Sequence, residues 1–330
     1  MEKVLRNYTS RVRFWRRQAH RNMAVFPLVM ENAPSPDYLT LDEALQDGAI
    51  EITEVNEGGS VPDLKVANKS SRNVLILDGE ELVGAKQNRI INTTILIGPK
   101  RTVVIPVSCV EQGRWSYRGA AFQSEERMMA SKMRSRKYHD LKDSLRRGMG
   151  YRADQSRVWQ DVDLAMCSLD CYSETSALSD VYEQKRGDLE DYLDHFKPVK
   201  NQVGIVVMID GKVMGGDSFW ATETLEKVFA KLVTSYALDA LETAGRRNRV
   251  NSTQAVRQFC QEVQKAKIET RSSVDLGTDI RLENDRVIGS ALGYEDQILH
   301  LSVFAKERSQ GRGSSGRSLR RASLRRDLLF

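Results

Sequence analysis

The sequence predicts an α+β fold, with an N-terminal antiparallel, β-rich and sandwich-like part, a C-terminal helix-and-strand part, and a basic disordered tail. Three observations point to it. Short β-rich runs separated by turn residues fill residues 24–120, the period turns helical from Ser124, and strand-like runs return at Ile268. The matching divisions are a basic leader over 1–23, a β-rich domain over 24–120, an α+β domain over 121–305 and an Arg/Ser/Gly-rich tail over 306–330.

Taken in order, Ala24–Met30 (AVFPLVM) reads as a strand. Leu39–Asp47 is a short helix, capped by Thr40 or Asp42 and stopped at Gly48. Ala49–Val55 alternates apolar and polar as a half-buried strand does. After the turn EGGSVP come Leu64–Val66, Val74–Leu77, Glu81–Val83, Arg89–Ile97 and Thr102–Val107, broken by Asp78-Gly79, Gly84 and Gly98-Pro99. Ser124–Arg147 is highly charged and reads as a solvated or partly mobile helix. Ser156–Leu169 and Thr175–Phe196 continue the helical pattern. Val203–Met208 is a buried strand, and Asp210-Gly211-Lys212 turns it into Val213–Phe219. Thr222–Thr243 sets Leu225, Val228, Phe229, Leu232, Tyr236 and Ala240 on one helical stripe. Ser252–Gln264 is a further helix, and Ile268–Ser273, Asp279–Glu283, Val287–Leu292 and Ile298–Phe304 are strands.

Composition bounds the function. The chain has 330 residues, 40% apolar and 29% charged, which is ordinary for a soluble globular protein. It has no apolar run near the ~20 residues that span a bilayer, and its first residues lack the apolar core of a secretory signal. A cytoplasmic protein with no membrane partner is expected. Four cysteines do not make a disulfide scaffold. Cys167 and Cys171 share a helix face but lack a second ligand pair, so core thiols and no metal are expected.

The net charge of +5 divides unevenly. Residues 1–23 carry +6 and residues 306–330 carry +6, which leaves −7 on the body. That division argues against a nucleic-acid-binding body and leaves only the basic ends for such a partner. In the tail, LRRASL (319–324) matches the substrate pattern of basophilic kinases, where phosphorylation at Ser323 would add about −1.5 to −2 charge. A solvated or weakly anion-binding tail is the simpler reading.

The stretch Val74–Trp115 carries the chemistry. It lodges Asp78, Glu80, Glu81, Lys86, Gln87, Asn88 and Arg89 among apolar runs, with Cys109 and Glu111 following. An unpaired charge between buried strands costs several kcal/mol, so the cluster is a site or a satisfied network. Glu80 and Glu81 alternate, which lets only one face the interior. Gln87 shares a face with Arg89, and Cys109 with Glu111. A carboxylate against an apolar wall suits acid/base work, which makes Glu80 and Glu111 the catalytic candidates. Arg89 suits bidentate contact with phosphate or carboxylate, Lys86 and Gln87 add donors, and Trp115 can stack on a base. The alternative is that Arg89 pairs with Glu80 or Glu111 and the set staples two sheets. Cys109 and His300 read as core residues. Asp279 and Arg281 alternate on a late strand and could join a site at the domain junction. No phosphate loop, dinucleotide fingerprint, nucleophile elbow or HExxH stands in a supporting context.

The segments LTLDEAL (39–45), ITEVNEGGSVPDLKVAN (52–68), VLILDGEELVGAKQNRIINTTIL (74–96) and IPVSCVEQGRW (105–115) resemble the ARG and rhodanese-phosphatase-superfamily-associated protein domain family, over residues 24–305. That family is named for genomic association with ADP-ribosylglycohydrolases and rhodanese/phosphatase-like proteins. The resemblance implies a role near ADP-ribose or NAD-derived metabolites, and it brings no reaction, cofactor or catalytic residue with it. Two readings follow. One is a protein that binds or processes an ADP-ribose-like or other phosphorylated nucleotide. The other is a non-catalytic interaction module whose basic ends contact an acidic partner.

Overall fold

The computed structural model describes residues 1–117, 119, 121–244 and 252–306. The tail expected over 306–330, with Ser323, lies outside them except for Lys306. The largest sheet is antiparallel, in the order β1 (Arg13–Phe14), β3 (Met23–Val29), β13 (Gln202–Ile209), β14 (Lys212–Phe219), β18 (Gln297–Ala305), β17 (Val287–Tyr294), β16 (Thr278–Glu283) and β15 (Lys267–Ser272). A further strand, β2 (Gln18–His20), also pairs with β3. A six-stranded antiparallel sheet runs β12 (Phe122–Met128), β8 (Glu80–Gly84), β9 (Arg89–Ile91), β11 (Thr102–Cys109), β6 (Asp63–Asn68), β5 (Ile50–Glu54). The third sheet holds β10 (Ile95–Ile97), β7 (Asn73–Ile76) and β4 (Tyr38–Thr40), the last two parallel.

The fold is α+β, and its N-terminal part is sandwich-like. Val74, Ile76, Ile95 and Ile97 of the small sheet share one core with Ile52, Val66, Leu82, Ile91 and Ile105 of the six-stranded sheet. Leu75, Leu77 and Leu96 point the other way, into a second core. Burial on both faces explains why these strands read as continuous apolar runs rather than alternating ones. Helix α2 (Leu41–Gln46) begins with a capping box in which Thr40 and Glu43 satisfy each other's end of the first turn.

The helices lie on both faces of the nine-stranded sheet. On the inner face, α3 (Ser131–Arg146), α4 (Gln155–Leu169), α5 (Leu178–Gln184), α6 (Arg186–Asp194) and the long α7 (Thr222–Leu241) share a core with Ile205, Val207 and Leu299. On the outer face lie α1 (Glu2–Arg11) and α8 (Thr253–Lys265), against Phe26, Val206 and Val303. Residues 1–23, expected as a basic leader, are thus folded onto the sheet: Leu5 and Tyr8 are buried, and the Tyr8 hydroxyl donates to Phe219 O at 2.7 Å. Hydrogen bonding also crosses residue 120, because β12 pairs with β8.

Four expectations need correction. The helix expected over Ser124–Arg147 starts only at Ser131, because Phe122–Met128 is an edge strand with a register shift and left-handed backbone at Glu126 (φ 53°). That irregularity places charged residues consecutively and hides the alternation. Helix α3 is solvated on one face only: Arg136, Asp143 and Arg146 are exposed, but Arg134 and Lys137 are buried. The strand expected over Arg89–Ile97 breaks at Asn92–Thr94, where Thr94 accepts from the Asp78 amide at 3.1 Å. The helix expected over Thr175–Phe196 is two helices, parted at Lys185.

The buried cations of α3 hold the sheets together. Arg134 clasps Asp217 of β14 through two bonds of 2.9 and 2.8 Å. The Tyr236 hydroxyl donates to Asp217 at 2.9 Å, and His300 bridges Asp217 (3.2 Å) to Thr94 (2.8 Å). Lys137 donates to Asp78 at 2.5 Å and to Ile91 O at 2.7 Å. Burial alone would raise the Asp217 carboxyl, but Arg134 and His300 hold it well below the usual carboxylate range. Its contribution is therefore present above the ordinary value of 3.8 and lost as pH falls through and below it. Replacing Arg134 by Met strands a buried carboxylate and should cost about 3–5 kcal/mol in urea unfolding at neutral pH. A loss below about 1 kcal/mol would remove this pair from the framework.

Candidate functional site

Three inward rows of the six-stranded sheet change character at one end. Ile50 and Ile52 lead to Glu54, Ile105 and Val107 lead to Cys109, and Ile91 leads back to Arg89. Cys109 and Arg89 are register partners. An apolar core therefore ends on a carboxylate, a thiol and a guanidinium, all buried.

Arg89 is only partly satisfied there. Its Nη1 donates to Gln87 O (3.1 Å) and Gln87 Oε1 (3.3 Å), and Nη2 lies 3.6 Å from Glu54 Oε1. Nε and Nη2 have no hydrogen-bond acceptor, and neither has Glu54 Oε2 a donor. Burial lowers the Arg89 pKa from its ordinary value, opposed by the neighbouring Cys109 and Glu54. The Cys109 thiol donates to Gln87 Oε1 at 2.9 Å, and burial pushes it up to about 11, which leaves it protonated and unsuited to nucleophilic attack.

Above this group stand exposed aromatics. The Arg89 guanidinium lies 5.8 Å from the Trp115 ring centre, and the Lys86 ammonium lies 5.3 Å from Trp115 and 5.1 Å from Tyr117. Trp115 and Tyr117 are 48% and 51% exposed, high for rings of this size. Lys86 also donates to Gly58 O at 2.7 Å. Gly59 has left-handed backbone (φ 76°), and a Cβ there would meet Lys86 Cδ at 3.0 Å and Trp115 at 3.3 Å, so the loop closes because this residue is glycine. Beside the aromatics lies an open depression of about 400 Å³, lined by Thr53, Glu54, Asn56, Glu57, Tyr117 and Gly119.

The structure thus brings together Lys86, Gln87, Arg89 and Trp115. It commits Glu80 and Glu111 to closed networks, although Glu111 stays near enough to act electrostatically on Arg89 and Cys109. Glu111 accepts from Arg114 Nε (2.8 Å) and Nη2 (2.6 Å), from Thr175 (2.9 Å) and from the Asn88 amide (3.1 Å). Burial would raise its pKa, but Arg114 draws it below the ordinary range. Arg114 in turn donates to Ala85 O and Ser116 O, so the pair pins both loops that carry the candidate site. Glu80 accepts from Lys231 and from the Leu77 amide, and Lys231 also holds Asp42. Burial raises Glu80 to about 7, with Lys231 opposing.

Sequence reasoning missed Glu54, Tyr117 and Gly59. The signal for Glu54 was the alternation of IEITE, which puts it in the row of Ile50 and Ile52. Asp279 and Arg281 do meet, at 2.9 Å, with Arg281 donating to Thr93, away from the candidate site. His20, Asp191 and His195, scattered in sequence, bring three ligand-type atoms within 4.8 Å of one another. Arg21 already supplies a cation to that carboxylate at 3.0 Å.

Such a fold, with a half-satisfied guanidinium under exposed rings, is that of an α+β protein with a candidate ligand surface. The chain belongs to the ARG and Rhodanese-Phosphatase-superfamily-associated Protein domain family, which it matches over residues 11–304. No curated protein and no solved structure matches it. No helix among the described residues is long and apolar enough to cross a membrane.

Glu81 corrects the expectation that one of the paired glutamates faces solvent: both are buried, because β8 lies between two cores. Neither Glu81 oxygen has a hydrogen-bond partner. Burial pushes its carboxyl up to about 8, with Arg127 opposing. A folded pKa above the unfolded 4.5 means that stability is full below 4.5 and declines as pH rises toward about 8. Glu81→Gln should flatten that decline in urea unfolding and be more stable than wild type above pH 8. An unchanged pH profile would show that Glu81 is ionised within the fold.

Proposed function

We propose that the surface over Arg89 binds a phosphorylated nucleotide of the ADP-ribose or NAD-derived class. The observation that carries this is the buried Arg89 guanidinium with two unpaired donor nitrogens beneath half-exposed Trp115. In this reading the base or nicotinamide ring stacks on Trp115 and Tyr117, and a phosphate displaces Trp115 from the guanidinium face to take the donors of Arg89 and Lys86. Gln87 orients the guanidinium. Glu54, at the edge of the depression, accepts from ribose hydroxyls. Glu80 and Glu111 hold the strands and loops rather than transfer protons.

The second reading, an interaction module, draws on the saturation of Glu80 and Glu111 in closed networks. Thermal unfolding with ADP-ribose, NAD and AMP separates the two. A nucleotide at 100 times its dissociation constant should add about 2.7 kcal/mol of stability. Trp115→Ala, at an exposed position, should abolish the gain while leaving the unliganded transition in place. Arg89→Gln should abolish it too. No gain with any of the three would turn the assignment to the interaction module.

A further inference from the structure

A second concavity lies on the opposite side of the large sheet, where α1 and α8 cover its outer face. The two helices approach each other through few contacts. Arg6 donates to Gln264 O, and Gln264 Nε2 donates to Thr9 O at 3.3 Å. Helix α8 turns Ala255, Val256, Phe259, Cys260 and Val263 toward the sheet, yet only Val256 and Phe259 are buried. A cavity of about 480 Å³ remains beneath, inside the ~300–1,000 Å³ range of small-molecule sites.

Its floor is apolar, formed by Leu28 of β3, Val206 of β13, and Leu301 and Val303 of β18. Among its polar lining residues, which include Thr9, Gln261 and Gln264, two are arginines. Arg13 and Arg257 both line it and both are exposed, and Arg257 stacks 5.5 Å over Phe14. Neither is in an ion pair among the described residues, and Arg13 spends only Nη1, on Ser10 O and Val12 O. The one acidic residue in the lining is Asp217, whose carboxylate is committed to Arg134, Tyr236 and His300. Fixed positive charge without a counter-charge, at an apolar cavity, calls for a ligand that is apolar along its length and anionic at one end. Guanidinium forks match the planar geometry of a carboxylate through paired hydrogen bonds.

We propose that this cavity binds an apolar monocarboxylate, with its chain on the sheet and its carboxylate held by Arg13 and Arg257. Cys260, which lines the cavity and is partly buried, reports occupancy. Decanoate should bind the full-length protein saturably in calorimetry. It should also slow alkylation of Cys260 followed by mass spectrometry, while exposed Cys167 reacts at its usual rate. Decanol, with the same chain and no charge, should bind at least about tenfold more weakly, the equivalent of one charge-assisted hydrogen bond. Arg13→Gln with Arg257→Gln should reduce decanoate to the affinity of decanol and leave thermal stability unchanged. Equal affinity for decanoate and decanol in the wild type overturns the assignment, as does unaltered Cys260 alkylation with saturating decanoate. Nucleotide binding at Trp115 is independent of either result.

Discussion

Everything in this fold is arranged around the ion pair of Arg134 with Asp217. It sits where α3, α7 and the nine-stranded sheet meet, and Asp217 gathers further bonds from Tyr236 and His300. An unpaired charge at that depth would cost several kcal/mol, so each element must arrive in the register that completes the set. Gly79 shows how tight the requirement is. Its backbone is left-handed (φ 86°), and a Cβ there would lie 2.6 Å from Arg134 Cδ. The Asp78-Gly79 turn is thus shaped by the side chain that holds the large sheet. Lys137, one turn further along α3, reaches Asp78 and Ile91 O of the N-terminal strands. One helix therefore sets where the six-stranded sheet stands.

From that anchored end, the six-stranded sheet runs to an end with different chemistry. The apolar rows that pass Ile52, Ile91 and Val107 finish on Glu54, Arg89 and Cys109. Loops that would otherwise move are tied by Arg114, which bonds Glu111, Ala85 O and Ser116 O together. Rigid support beneath and exposed rings above is the arrangement in which binding groups are held in place before a ligand arrives. The closed networks at Glu80 and Glu111 supply the support.

Local rules were legible in the sequence, and long-range pairing was not. Thr40 or Asp42 announced a helix start, which the structure places at Thr40, and Asp210-Gly211, both left-handed, announced a hairpin. The polar block at 78–89 was visible because it interrupts apolar runs. The partners of that block were invisible. Arg134 and Lys137 lie in SKMRSRKYHDLKDSLR, whose density of charge imitates a solvent-facing helix, and only tertiary contact shows that these two point inward. The edge strand β12 was hidden in the same way, since its bulge removes the period of two on which strand recognition depends.

The same logic bears on whether the Val74–Trp115 block is a site or a staple. In a staple, each partner satisfies the other and little is left over. Glu111 with Arg114 fits that description, as does Glu80 with Lys231. Arg89 does not. At 3.6 Å its contact with Glu54 is too long for a hydrogen bond, and both groups keep unpaired polar atoms beneath a ring that is half in solvent. A fold that satisfies Asp217 with three partners has the means to satisfy Arg89 with one. Asp78 and Glu81 also keep unpaired oxygens, but the unpaired atoms of Arg89 and Glu54 lie at the end of the sheet next to the open depression, where an incoming anion would meet unfilled donors. That distribution separates Glu80 and Glu111, held in closed networks, from Arg89, Lys86 and Trp115, the residues on which the proposed nucleotide site rests.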